Sequence, residues 1–265
     1  MSINSYLTDL SSDLVLSSNE KSSIGTSIDA LSRRLDFYFN NGELHNHFQF
    51  GSSTRGTILP RKADSGSDID YMVVFKNPNN YKPDTLLGYL RNFMKAYYKT
   101  SEIYKDSPTM VLELNHIKFE LVPATQDYLG NLSIPSKSNT LIDWMSTDPT
   151  GFNKRLTDAN TRNNSRLKPV IRLIKYWNKN KLNGQFYSYS LEEWIVSNYE
   201  YSSRESIKQY VFEIIENKSS SWGDSETFKR NLNSSKEIIK RSKELEASGY
   251  SQLAIQEIKK LFPEM

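Results

Sequence analysis

Cysteine is absent from all 265 residues. That excludes a disulfide framework, a thiolate nucleophile and a cysteine-ligated zinc. Histidine is scarce, with three copies: His45, His47 and His116. His45 and His47 lie two apart in an expected strand and so share a face. A zinc pair there is weighed against a half-exposed strand face, which is the plainer reading. An excess of one charge is missing too. The 34 Lys and Arg against 31 Asp and Glu leave +3, too little for an extended nucleic-acid footprint, so no stable nucleic-acid partner is expected. No apolar run has the length needed to cross a bilayer, and the opening MSINSYLTDL has no basic-then-apolar pattern of a secretory signal. The expected location is the cytoplasm, with no membrane partner.

What is present is an ordinary globular composition, 37% hydrophobic and 25% charged, in a chain long enough for one large domain or two closely packed lobes. Leu7, Leu10, Leu14 and then Ile24, Ile28, Leu31 and Leu35 recur at helical steps, with a break expected in the serine-rich stretch 18–23. A strand is predicted over 45–50, followed by GSSTRGT, a turn entering a short helix. DIDYMVVF (68–75) reads as a strand and Lys82–Pro83 as a helix start. TMVLELNHIKFELVPAT reads as two neighbouring strands or a hairpin joined at Asn115–His116. After Pro135 no further strand is expected, only helices separated by Gly- and Ser-rich turns. The division is therefore 1–135, a mixed α/β part with N-terminal helices, and 136–265, a helical part.

Asp68 and Asp70 flank Ile69, and in a strand both carboxylates project to one face. Such a pair repels itself unless a cation intervenes, and Mg²⁺ takes hard oxygen ligands, typically one or two carboxylates plus substrate phosphates. Asp-x-Asp by itself is common in turns and calcium loops; here it opens an apolar strand. Gly51 and Ser52 follow a strand and precede a helix, where backbone N–H groups and a hydroxyl can meet phosphate oxygens; a plain turn with a serine cap is the alternative. Glu120 sits among Ile, Phe, Leu and Val and shares a face with Lys118 and Val122, against the reading of an edge-strand carboxylate facing solvent. Glu113, one strand earlier, reads as structural. Three acids on adjacent strands would hold two ions about 3.5–4 Å apart, clamping the attacking and leaving oxygens of an in-line displacement.

In the helical part, Lys168, Arg172 and Lys175 form a basic stripe, either a solvated face or one from which Lys175 reaches a triphosphate. In YSYSLEE, Ser190 and Glu193 fit a capping box, leaving Ser188 to bond a γ-phosphate and Tyr189 either to stack on a base or to pack in the core. Asn163, Asn164 and Arg166 are further candidates without an assigned role.

GSSTRGT, SDIDYMVVF and FELVPA together resemble the signature of polymerase-β-like nucleotidyltransferases. RLIKYW followed by YSYSLEE resembles the helical lobe shared by cyclic GMP-AMP synthase, the oligoadenylate synthetases and the bacterial CD-NTases, and KELEASGYSQLAIQEIKKLFPEM resembles the closing helices of the bacterial group. The resemblance implies an α+β fold, a polymerase-β-like core with a mixed sheet plus a C-terminal helical lobe, with a triphosphate in the cleft between. It implies metal ligands at Asp68, Asp70 and Glu120 for two Mg²⁺ ions, Mn²⁺ being an alternative. Gly51 and Ser52 become the phosphate-binding turn, Lys175 and Ser188 triphosphate contacts, and Tyr189 the base-stacking residue. The implied substrates are nucleoside triphosphates and the implied product a cyclic di- or trinucleotide second messenger, acting on a separate effector in anti-phage defence. The family's third acid is usually Asp, so the extra methylene of Glu120 alters that ligand's reach, and a chain without cysteine cannot carry the zinc insertion of the animal enzyme. The alternatives are a transferase modifying a tRNA or protein target, and a degenerate fold that binds nucleotide without turning it over.

Overall fold

The chain opens with two helices, α1 (Ile3–Asp13) and α2 (Ser18–Tyr38), each begun by a serine capping box, Ser2 with Ser5 and Ser17 with Glu20. The break therefore falls ahead of Ser18, earlier than the serine-rich stretch suggested: Ser17 and Glu20 satisfy each other's orphan groups and start the helix there. The computed structural model describes residues 1–77, 79–136, 143–202 and 204–265. β1 (Leu44–Phe50) runs straight into α3 (Gly51–Arg55). Then follow β2 (Asp68–Phe75), α4 (Pro83–Tyr97), β3 (Glu102–Asp106), β4 (Thr109–Glu113), β5 (Lys118–Gln126), β6 (Leu132–Pro135) and β7 (Trp144–Thr147). The remainder is helical: α5 (Gly151–Arg162), α6 (Leu167–Leu182), α7 (Ser188–Tyr199), α8 (Ile207–Asn217), α9 (Glu226–Ala247) and α10 (Ser251–Lys259).

The sheet is mixed, as expected, with order β1-β2-β5-β4-β3 and β6 and β7 continuing from β5. β2 and β5 are parallel, and every other pair is antiparallel. A parallel pair needs a long crossover, which α4 and the β3–β4 hairpin supply. Three strands, β3, β6 and β7, were not expected. β3 (EIYKD) is a largely exposed edge strand without an apolar alternation, and β7 lies beyond Pro135, correcting the reading that strands end there. It pairs with β6 in the register Pro135 to Trp144, so long-range pairing rather than local pattern makes it a strand.

Two units divide the chain. The sheet unit holds residues 17–55 and 66–153; the helical unit holds 1–16, 56–65 and 154–265. The single cut at 135 follows the chain's change of character, whereas these units exchange the chain at four places. In the sheet unit, Phe39 meets Phe75 edge-on at 5.4 Å and Tyr38 meets Phe93 at 5.5 Å, covering one sheet face. On the other face Met72, Val74 and Ala124 are packed by Phe48, Phe50, Leu132 and Ile134. In the helical unit α6 is buried nearly all round, including Ile171, Ile174 and Trp177; each such large side chain stabilises by about 1.5–3 kcal/mol relative to exposure. The Trp177 indole N–H donates to Ser235 Oγ at 3.1 Å, which satisfies the polar end of a fully buried ring.

Candidate active site

β2 and β5 carry the acids. Their parallel register sets Asp70 beside Glu120 and Asp68 beside Lys118, at neighbouring-strand spacing of about 4.8 Å. Alternation puts Asp68, Asp70, Met72 and Val74 on one face of β2. The apolar half of that face is sealed into the core, while its N-terminal end, with the carboxylates, is only half-buried. Glu120 keeps the predicted face with Lys118 and Val122.

The structure adds a partner that the sequence reading gave no role. Lys118 Nζ donates to Glu120 Oε1 at 2.8 Å and lies 3.3 Å from Asp68 Oδ2. Burial pushes the Asp68 carboxyl up to about 7, with Asp70 and Glu120 adding repulsion that Lys118 only partly offsets. On Lys118 burial acts downward, but the bond and charge of Glu120 and the charge of Asp68 outweigh it and raise the ammonium above its ordinary value. Both shifts are the net of burial and the charges of Asp68, Lys118 and Glu120 at one sheet end. Among the described residues no three His, Asp or Glu side chains are gathered as a ready-made metal cluster. Asp68 and Glu120 do accept a cationic group between them, in the form of an ammonium, and all three acids offer hard oxygen donors; the set fits a divalent ion of the Mg²⁺ class.

Gly51 begins α3 with φ +77°. A Cβ there would lie 1.8 Å from Asp70 Oδ2, so only glycine lets the Asp70 carboxylate lie against this backbone. Ser52 is half-buried in the first turn. The turn is braced from behind: Gln49 Nε2 donates to Ser53 Oγ at 2.8 Å, Ser53 Oγ to the Phe50 carbonyl at 3.1 Å, and Thr54 Oγ1 to the Gly51 carbonyl at 2.9 Å.

In the helical unit the basic stripe is not the solvated face that was one of its two readings. Arg172 and Lys175 are buried. Arg172 donates to the Ser11 and Gly56 carbonyls at 3.0–3.3 Å. Lys175 Nζ donates to the Thr57 carbonyl at 3.0 Å and to Glu192 Oε1 at 3.2 Å, and Thr57 Oγ1 donates to the same oxygen at 2.8 Å. Reaching a triphosphate would take the amine from both partners, one of them Glu192, which is 0% exposed. The capping box at Ser190 is also corrected. α7 begins three residues earlier, with Tyr187 rather than Ser190 at its N-cap and Leu191 N–H on the Tyr187 carbonyl at 2.9 Å. The entry is fixed by tertiary bonds, since Asn178 exchanges hydrogen bonds with the Phe186 backbone in both directions. Ser188 and Tyr189 are thus the first two helical residues, both exposed, and Tyr189 at 50% is no core residue.

Other candidates are structural. Asn163 is buried and held by the Tyr210 hydroxyl and the Ala159 and Glu200 carbonyls. Arg166 donates to the Arg204 carbonyl at 3.3 Å and Asn164 adopts φ +52° in the turn after α5. Both His47 ring nitrogens are engaged, with Tyr71 and Asp36, each at 2.9 Å, and Glu113 accepts from the Tyr104 hydroxyl at 3.1 Å. No described helix is long and apolar enough to cross a membrane.

Residues 1–160 match the sequence model of the Second Messenger Oligonucleotide or Dinucleotide Synthetase domain. A cyclic AMP-AMP-AMP synthase of Acinetobacter is 24% identical over 179 residues, 66% of this chain and 51% of that protein. A probable cyclic nucleotide synthase of Bacillus cereus is 33% identical over 91 residues, 32% of this chain and 27% of that one. The chain thus spans about half, or less, of the length of these relatives. The structure of CdnC from E. coli MS115-1 with ATP is similar in fold, with TM-score 0.74 at 13% identity, covering 98% of each chain.

Proposed function

The chain belongs to the second messenger oligonucleotide or dinucleotide synthetase family, the bacterial CD-NTases, and from that membership we propose that it joins ribonucleoside triphosphates into a cyclic di- or trinucleotide second messenger. The observation that supports this most directly is the register of the parallel β2–β5 pair, which aligns Asp70 with Glu120 and keeps Asp68 on the same face. In each cycle a hydroxyl of one nucleotide attacks the α-phosphorus of another; the new O–P bond forms and the bond to pyrophosphate breaks. Two Mg²⁺ ions, or Mn²⁺, held by Asp68, Asp70 and Glu120, would supply activation of the hydroxyl and neutralisation of charge on the leaving pyrophosphate.

The chain's own groups do the binding. Gly51 allows the backbone to approach phosphate, and Ser52 offers a hydroxyl and an N–H in the same turn. Ser188, at the first position of α7, presents a hydroxyl and an unpaired-end N–H where the helix dipole favours anions. Tyr189 offers a ring for base stacking. Lys175 is engaged by the Thr57 carbonyl and Glu192 within the helical unit. The product would act on a separate effector protein in anti-phage defence.

The test uses all four ribonucleoside triphosphates with Mg²⁺ or Mn²⁺, phosphatase treatment and mass spectrometry. ATP is the first single substrate, given the name of the Acinetobacter relative and the nucleotide in the CdnC structure. A phosphatase-resistant cyclic species, absent from folded Asp68→Asn/Asp70→Asn protein, is the expected result. Undiminished product from that double variant would remove the metal assignment.

A further inference from the structure

The Lys118 ammonium holds oxygens of two of the three acids to which we assign the metal. It lies 2.8 Å from Glu120 Oε1 and 3.3 Å from Asp68 Oδ2, with its side chain only 16% exposed. The position is dictated by the fold. Lys118 opens β5 directly beside Asp68 on β2, and alternation aims it to the same face as Glu120. Lysine is the residue type suited to a removable pairing: a compact charge on a flexible four-carbon stem, unlike the rigid fork of arginine.

We infer that Lys118 is a built-in competitor for the divalent ion, holding the oxygens of Asp68 and Glu120 that the metal must take and so setting the affinity of the site. This rests on the metal assignment of the proposed function. A protein in which those oxygens are occupied binds metal with an apparent affinity reduced by the fraction that is open. The positive charge itself also opposes a second cation nearby. Without Lys118 the Asp68 and Glu120 carboxylates would lose the charge they share; with it, the two acids are held together and yet exchangeable. A nucleotide bringing its own metal adds phosphate oxygens that replace what Lys118 gives up, so the lysine biases loading toward the metal–nucleotide complex over the bare ion.

The test measures Mn²⁺ binding by electron paramagnetic resonance of the free ion, without nucleotide, at constant ionic strength. Lys118→Met should bind about tenfold more tightly, Lys118→Arg, whose fork is harder to displace from two carboxylates, should bind more weakly than native, and Asp70→Asn should lose the site. Native binding that Asp70→Asn abolishes, with Lys118→Met unchanged or weaker, overturns the competitor role and leaves the metal assignment standing. Binding indifferent to Asp70→Asn in every protein removes the assignment and this inference with it. If Lys118→Met does not fold, the native protein answers instead. Reductive methylation of the Lys118 amine, followed by peptide mass spectrometry, should be several-fold faster with Mg²⁺ than without; equal rates overturn the inference.

Discussion

Single side chains in this protein act through what they would leave stranded. Glu192 is the clearest case, fully buried and shared by the Lys175 ammonium and the Thr57 hydroxyl. Glu192→Ala leaves a buried charge unpaired, and we expect a loss of about 3–5 kcal/mol in a urea unfolding curve. Glu192→Gln keeps an acceptor for Thr57 and should lose less. Gly51→Ala forces a Cβ against Asp70 at φ +77°, so stability should fall by more than about 1 kcal/mol and metal binding should weaken in the same protein. Lys218 offers a pH signature. It lies 3.5 Å from the centre of the Trp194 ring, and burial lowers its amine from 10.5 to about 8. Between those values the unfolded chain binds more protons than the folded one, so this group makes stability rise with pH from about 8 to about 10.5. The native protein's melting temperature minus that of Lys218→Met should increase over that window; a constant difference would remove Lys218 as the cause.

Elements place these residues, and they show what a sequence discloses. The two aspartates were legible because a strand has a period of two and DIDYMVVF is plainly a strand. Glu120 was legible because a carboxylate inside IKFELV contradicts its neighbours. Lys118 was visible on the right face, but its role depends on the strand alongside, which no local pattern names. The buried partners of Lys175 were not legible, so it read as a solvated cation or a triphosphate contact: Thr57 is 118 residues away. Ser190 misled because the box spelling was intact while the Phe186–Asn178 bonds started α7 earlier. That earlier start yields a prediction. Proline is tolerated at the first helical position, and Tyr187 already has the extended φ −61°, ψ 128° that precedes proline well. Ser188→Pro should therefore keep the native melting temperature while raising KM for the triphosphate; an unchanged KM would take Ser188 out of the site.

At the scale of the molecule, neither unit is one stretch of chain. α1 buries Ile3, Leu7 and Leu10 within a unit whose other helices come from residue 154 onward. A fragment of residues 1–135 would expose that face and lose the β7 partner of β6. We expect it to bind a hydrophobic dye and to show little near-ultraviolet circular dichroism, the signs of a state without fixed packing. A sharp, cooperative melt of that fragment would contradict the interleaved division.

The same interleaving orders events during synthesis. As the chain leaves the ribosome, α1 emerges before the sheet strands yet belongs with helices beyond residue 154, so its apolar face must wait while the strands between are made. The sheet, whose strands all lie between residues 44 and 147, can form in that interval. A cell making this protein would thus hold, for a time, a paired sheet before the helices beyond residue 154 exist, with the apolar face of α1 (Ile3, Leu7 and Leu10) as the surface left for a chaperone to shield.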